Sequence, residues 1–415
     1  MKLINFIELP IMTYIQRTLE PVIKKASQSF KVIMVNGMRQ VGKSTLLQHL
    51  SSDRTRVTLD DLRPLTMAQT MRDVFFKQYP APILIDEIQR SPDLCLEIKS
   101  LVDREQRPGL VWLTGSQRFS LMKNVSESLA GRMADFELLP FSLYERQGKA
   151  FEQKPYLPNG SLPNPVLNRK ELGDIWSLIW QGAWPNVIDM NEDERHWFFN
   201  GLLHTYIERD VQQTAGVSKL DEFRRFLGIL ATRIGQEFQI GKVAAEAGIA
   251  SQTAREWLSI AEASGVIYLL PPFYENIGKV LIKKPKLYFS DTGLACWLCD
   301  MTSPDAVKNS YMNGSFFENF VIMELRKSWI HNGKRASFYF YRDSNFKEVD
   351  LLIKVGSVYH PVEIKTTDNP QSSMVNAFDL IQGGSFSKGP GSVICLTNEP
   401  HYIRSDVVAH SIFDI

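Results

Sequence analysis

Short, unbroken apolar runs recur through the first third of the chain: VIMV at residues 32–35, PILI at 82–85 and LVWL at 110–113. Such runs belong to strands covered on both faces. Helical spacing between them makes the sheet parallel, so the predicted architecture is α/β with three layers. Two more strands fit, Arg56 to Leu59 and ADFELLP at 134–140. From about residue 172 to 236 the spacing is helical and rich in aromatics, as in IWSLIWQGAWP and HWFFNGLLHTYIERDV, which predicts helices packed through aromatic stripes. IGKVAAEAGIASQTAREWLSIAEASGVIYLLPPF then predicts a helix, a turn at Gly248, a second helix from Ser251 and a β run, the outline of a winged helix-turn-helix. Near the end, EVDLLIKVGSVYHPVEIK at 348–365 alternates on either side of Gly356-Ser357, which predicts a two-residue hairpin. That register opposes Leu351 to Val362 on an apolar face and Asp350 to Glu363 on a polar one. Two facing carboxylates need a cation or a proton between them.

The first strand runs into GMRQVGKST, Gly37 to Thr45, and then into an apolar helical pattern. This is a P-loop in its strand–loop–helix setting. Gly37 and Gly42 let the loop curl so that its N–H groups, through Gln40 and Val41 to Thr45 at the helix start, surround phosphate. Lys43 would reach the β and γ phosphates and Ser44 would ligate Mg²⁺, so ATP and Mg²⁺ are the implied cofactors. Asp86, ending the next buried strand in ILIDE, would hold the Mg²⁺ through water, and Glu87 would orient the attacking water. The plainer alternative for this acidic pair is a helix cap. Ser116, in the polar turn after LVWLTG, is placed to sense the γ phosphate. Arg132 and Arg209 are candidates to neutralise charge developing on that phosphate, each with a surface ion pair as its alternative.

At 415 residues the chain is long enough for several domains. A stretch rich in Pro, Gly and Asn at 147–170 marks a junction. The expected division is an ATPase domain over 1–146, a linker and helical region over 147–236, a winged-helix-like domain over 237–300 and a last domain over 301–415. No apolar run is long enough to span a bilayer and no cleavable leader is evident, so the expected location is the cytoplasm. Four scattered cysteines fit a reducing compartment, and CWLC at 296–299 lies in an apolar stretch that favours a buried helix over zinc. A net charge of +1 means that DNA contact would come from local patches. Two such patches are the start of the second helix, with Ser251, Gln252, Thr253 and Arg255, and a lysine cluster on the expected wing, Lys279, Lys283, Lys284 and Lys286. A lid or a protein contact is the alternative use of this segment.

GMRQVGKSTLL, ILIDEIQ, LTGSQRF, ESLAGR, IERDV, KPKLYFSDTGLA, FFENFVIMEL, EVDLLI and VEIK together make the chain resemble prokaryotic AAA+ ATPases that carry a C-terminal domain of unknown function. The resemblance covers nearly the whole length. It implies an AAA+ core, a winged-helix segment and a C-terminal fold of the restriction-endonuclease type, similar to PD-(D/E)XK nucleases; a homo-oligomer is a separate expectation. Asp350 and Glu363-x-Lys365 match that nuclease signature, and Glu318 matches the helical acid that precedes it. In that reading Asp350 and Glu363 share a Mg²⁺ and Lys365 orients the nucleophile. The pairing of Glu348 with Lys365 across a solvated edge hairpin is the alternative. YRDSNFKEVD lacks the family's Pro-Asp pair.

Overall fold

A computed structural model describes residues 14–116, 129–206, 220–273, 284–381 and 386–415. The apolar runs of the first third become β1 (Val32–Asn36), β2 (Thr55–Thr58), β3 (Ile83–Asp86), β4 (Val111–Gly115) and β5 (Met133–Glu137). All neighbours in this sheet are parallel, in the order β2-β3-β4-β1-β5. Every residue of β1 and β4 is buried, as continuous apolar strands between two helical layers must be. The order places the C-terminal ends of β1, β3 and β4 side by side, where loops converge on one edge of the sheet.

The aromatic stripes of the middle region are core. Trp184, Phe199, Phe223, Phe226 and Trp257 are all within 1% of full burial. Trp184 also donates its indole N–H to the Arg39 carbonyl at 2.9 Å, which fastens the helical region to the P-loop. Burying an aromatic of this size contributes about 2–3 kcal/mol. Trp197, on the same helix as Phe199, faces solvent instead. The CWLC sequence falls in and just after the helix Thr292–Leu298, with Cys296 fully buried, in line with the apolar reading.

Three helices, α1 (Leu220–Ala231), α2 (Ile240–Ala247) and α3 (Ser251–Ala263), precede the antiparallel pair β6 (Ile267–Leu270) and β7 (Lys286–Phe289). Gly248 closes α2 at φ 71°, a left-handed position that favours glycine. The C-terminal region carries a seven-stranded mixed sheet. Its centre is the hairpin of β8 (Glu348–Val355) and β9 (Val358–Ile364), in which Leu351 pairs with Val362, the register expected from the alternation.

The modules share one continuous hydrophobic core that runs from Ile33 and Val35 through the aromatic helices to Phe316, Leu351 and Val362. The long helix α4 (Asn313–Ile330) is docked on the end of β5 and the chain just after it. Arg326 makes a two-pronged pair with Glu137 at 2.9 and 2.8 Å, and Lys327 donates to the Phe141 carbonyl at 2.9 Å. The Leu143 N–H donates to Glu324 at 3.0 Å. The 147–170 stretch binds the C-terminal sheet: the Tyr156 hydroxyl lies 2.8 Å from both Ser392 and His410, and Arg169 pairs with Asp414 at 2.8 Å. No described helix is long and apolar enough to cross a membrane.

Candidate active sites: a nucleotide cradle and an acid cluster

The loop after β1 bends where glycine is required. Gly37 has φ 146°, and a Cβ there would stand 2.2 Å from the Leu138 carbonyl oxygen. Gly42 is left-handed at φ 92° and caps the helix Lys43–Leu50. Gln40 is exposed and also left-handed at φ 59°, Val41 is buried in the core, and Thr45 is exposed in the first turn. Lys43 is only 4% exposed and its ammonium donates to the Met38 carbonyl at 2.7 Å, folded over its own loop.

The strand order brings the second half of this site into reach. The Ser44 hydroxyl donates to Asp86 Oδ1 at 2.6 Å, and Thr114, on β4, donates to the same oxygen. Glu87 adopts a left-handed backbone at φ 59°, uncommon for a residue with a side chain, and its N–H donates to Thr114 Oγ1 at 3.1 Å. Ser116 donates to Glu87 Oε2 at 3.1 Å, and Gln89 donates to both Glu87 and Ser116, the latter at 2.8 Å. Gln89 and Thr114 were not expected as site residues. Gln89 lies two positions beyond the acidic pair, and its role depends on a one-turn helix at Ile88–Arg90 that no local signal announces. Ser44 and Asp86 are oxygen donors at hydrogen-bond distance, a set suited to Mg²⁺ beside phosphate.

Arg132 is elsewhere. Its carbonyl accepts from the Val32 N–H at the start of β1, and its guanidinium pairs with Asp103 at 2.5 and 2.9 Å. It therefore sits one strand length, about 16 Å, from the P-loop edge of the sheet. The expectation that Arg132 completes the site is corrected for its own chain. Arg209 lies outside the described residues, as do Lys279 and Lys283.

The second cluster gathers side chains from four elements. Glu318 comes from α4, Lys286 and Tyr288 from β7, Glu348 and Asp350 from β8, and Glu363 and Lys365 from the end of β9 and just beyond it. Lys365 lies 2.6 Å from Glu363 and 3.0 Å from Asp350, and Asp350 also accepts the Ile364 N–H at 2.9 Å. The ammonium thus resolves the repulsion between the two acids, the place where a shared cation was expected. Glu348 turns away from Lys365, pairing with Lys286 and, at 3.5 Å, with Arg342. Lys286 is 3% exposed and also pairs with Glu318 at 3.2 Å. Its assignment to a phosphate-binding wing is corrected, because a buried ammonium held by two carboxylates is not free to meet DNA. Lys284 is exposed. Ser251, Gln252 and Arg255 are exposed at the start of α3, with Thr253 half-buried.

Burial, with Asp350 adding to it, pushes the Glu363 carboxyl up to about 8 against the pull of Lys365. Burial raises Glu318 as well, with Lys286 opposing and Asp350 reinforcing, while the Tyr288 hydroxyl donates to it at 2.5 Å. Glu363 Oε2 is buried and has no hydrogen-bond partner among the described residues. An orphaned carboxylate oxygen beside a second carboxylate fits a divalent cation, which Asp350 and Glu363 would hold once Lys365 moved aside. Among the described residues no three His, Cys, Asp or Glu side chains converge as a ready metal cage.

Three family models match successive parts of the chain: an AAA domain over 29–147, a domain of unknown function (DUF8612) over 172–305 and another (DUF4143) over 313–413. An uncharacterized protein of Mycobacterium tuberculosis is 28% identical over 352 residues, 85% of this chain and 74% of that one. One from Methanocaldococcus jannaschii is 23% identical over 344 residues, 78% and 72% of the respective chains. Among solved structures, a Walker-type ATPase of Pyrococcus abyssi aligns over 67% of this chain and 94% of its own, with a TM-score of 0.40 and 13% identity. AMPPCP-bound DnaA from Aquifex aeolicus aligns over 59% and 85%, with 0.28 and 15%. Residues 29–147 form an AAA-type P-loop ATPase domain, followed by two segments similar to families of unknown function.

Proposed function

We propose that this protein hydrolyses ATP with Mg²⁺ and uses the nucleotide cycle to position a C-terminal, PD-(D/E)XK-like domain on DNA. The observation that carries the ATPase half is the convergence of Ser44, Asp86, Glu87 and Ser116 at one sheet edge beside Lys43. Glu87 is the base that orients water, Ser116 and Gln89 hold its carboxylate, and Lys43 leaves the Met38 carbonyl to take phosphate. For the C-terminal half, support comes from Glu318, Asp350, Glu363 and Lys365 lying together, with a buried carboxylate oxygen of Glu363 unsatisfied among the described residues. Three helices followed by an antiparallel strand pair support a winged-helix reading of 220–289, with the exposed start of α3 as its DNA-facing element. The setting we propose is the cytoplasm, and an arginine completing the ATP site would come from a second copy.

A second reading is favoured by Lys365 itself. With its ammonium between Asp350 and Glu363, the acid pair is bridged by an internal cation without metal, as in a binding module for nucleic acid or protein. The two readings part on one assay. Plasmid and linear DNA are incubated with Mg²⁺ or Mn²⁺, with and without ATP. Cleavage that disappears in Asp350→Asn supports the nuclease; DNA retention without cleavage supports the binding module; neither outcome on any DNA tested sinks the DNA assignment.

A further inference from the structure

Arg17 lies before the P-loop domain, outside every motif read from the sequence, and is 2% exposed. Its guanidinium donates to the Val41 carbonyl at 2.8 Å and to the Leu139 carbonyl at 2.6 Å, while its carbon stands 4.5 Å above the Phe141 ring. One of these acceptors belongs to the P-loop. A trans peptide points its C=O and N–H in opposite directions, so whatever holds the Val41 oxygen also sets the direction of the Gly42 N–H. That N–H is one of the donors with which a P-loop surrounds phosphate. The approach is close: a Cβ on Gly42 would lie 3.7 Å from an Arg17 nitrogen.

Arg17 is itself fixed from behind. Glu145, fully buried, lies 3.1 Å from Arg17 and 3.2 Å from His331 Nδ1, and accepts from the Thr18 and Ser142 N–H groups at 2.9 and 3.0 Å. His331 Nε2 accepts the Leu139 N–H at 3.2 Å, so that nitrogen is unprotonated and Nδ1 carries the hydrogen that faces Glu145. The ring follows the last turn of α4, so the fork that holds the P-loop also rests on the C-terminal module.

We propose that Arg17 is a positioning residue for nucleotide binding, clamping the Val41–Gly42 peptide so that its N–H is aimed at the phosphates of ATP. The inference rests on the ATP site at residues 37–45. A planar guanidinium meets two carbonyls and a carboxylate at once, whereas lysine keeps the charge beside Glu145 but cannot fork.

The test is calorimetric titration of ATP with Mg²⁺ into wild type, Lys43→Ala and Arg17→Lys, with each protein's melting temperature and its KM and kcat. Arg17→Lys should bind ATP about tenfold more weakly at unchanged stoichiometry, the loss of one strong hydrogen bond in the cradle. KM should rise by a similar factor with kcat within about twofold, the pattern of lost ground-state binding. Wild-type affinity in Arg17→Lys, or lower stoichiometry at wild-type affinity, overturns the clamp and leaves Arg17 a structural residue. If Arg17→Lys does not fold, the double variant Arg17→Met/Glu145→Gln, which removes both charges and keeps a side-chain oxygen for the Thr18 and Ser142 N–H groups, decides by the same criteria. Binding by wild type that Lys43→Ala abolishes keeps the ATP site whatever Arg17 does; no binding by wild type removes the site and the clamp together.

Discussion

Glu145→Gln removes one charge and almost no volume from the most enclosed ionic group among the described residues. The carboxylate is fully buried and answers Arg17, 2% exposed, at 3.1 Å, so the amide leaves a guanidinium in the interior without its counter-charge. Breaking one side of such a pair destabilises by about 3–5 kcal/mol. With unfolding entropy of about 2.1 cal/mol/K per residue, a chain of 415 residues unfolding as one unit loses about 3–6 °C of melting temperature for that change. The pH dependence has a definite sign. Burial opposes ionisation of Glu145, but Arg17 and then His331 overcome it and hold the carboxyl well below its usual range. A depressed folded value contributes stability that is complete above the ordinary carboxylate range and declines only as pH falls toward the folded value. Scanning calorimetry of both proteins from pH 7 downward should therefore show a full gap at neutral pH that closes on acidification. Melting temperatures within about 1 °C at pH 7, or a gap indifferent to pH, would refute the buried pair as described.

Three further outcomes follow from the clusters. Glu363 has the opposite sign: its folded value of about 8 lies above the ordinary one, so its contribution is present at low pH and lost as pH rises toward and through 8. Thermal melts in chelator should fall over that window in wild type and stay level in Glu363→Gln; parallel slopes contradict the assignment. Lys286→Met should lower stability by about 3 kcal/mol in urea unfolding, because Glu318 and Glu348 lose a shared buried cation, and a change under about 0.5 kcal/mol would return Lys286 to the surface role. If Arg132 acts across a subunit boundary, mixing Arg132→Ala with Lys43→Ala protein should restore part of the ATP turnover, and no recovery at any ratio removes it from catalysis.

Local pattern carried much of the fold. The unbroken apolar strands and the Gly356-Ser357 turn specify their elements through burial and backbone chemistry within a few residues, so the parallel sheet and the hairpin register were legible. What was not legible depends on contacts between distant segments. Lys286 looked like one of a run of wing lysines, yet β7 turns it toward acids 32 and 62 residues further on. Arg132 sits close in sequence to strand β5, but parallel pairing with β1 sends it to the edge away from the P-loop. Arg17 bears no motif, and its partners at 41, 139 and 145 are joined only by the finished fold. Glu348 and Lys365 were paired by strand geometry alone, and a buried carboxyl at Glu363 proved the stronger attraction for that ammonium.

Steady-state ATP turnover with Mg²⁺, measured for wild type, Lys43→Ala and Glu87→Gln beside ATP binding for each, tests the central claim most directly. The account predicts turnover in wild type, neither tight binding nor turnover in Lys43→Ala, and retained binding with turnover reduced about 10²–10⁴-fold in Glu87→Gln. Equal turnover in wild type and Glu87→Gln, or wild-type turnover no higher than that of Lys43→Ala, would contradict it.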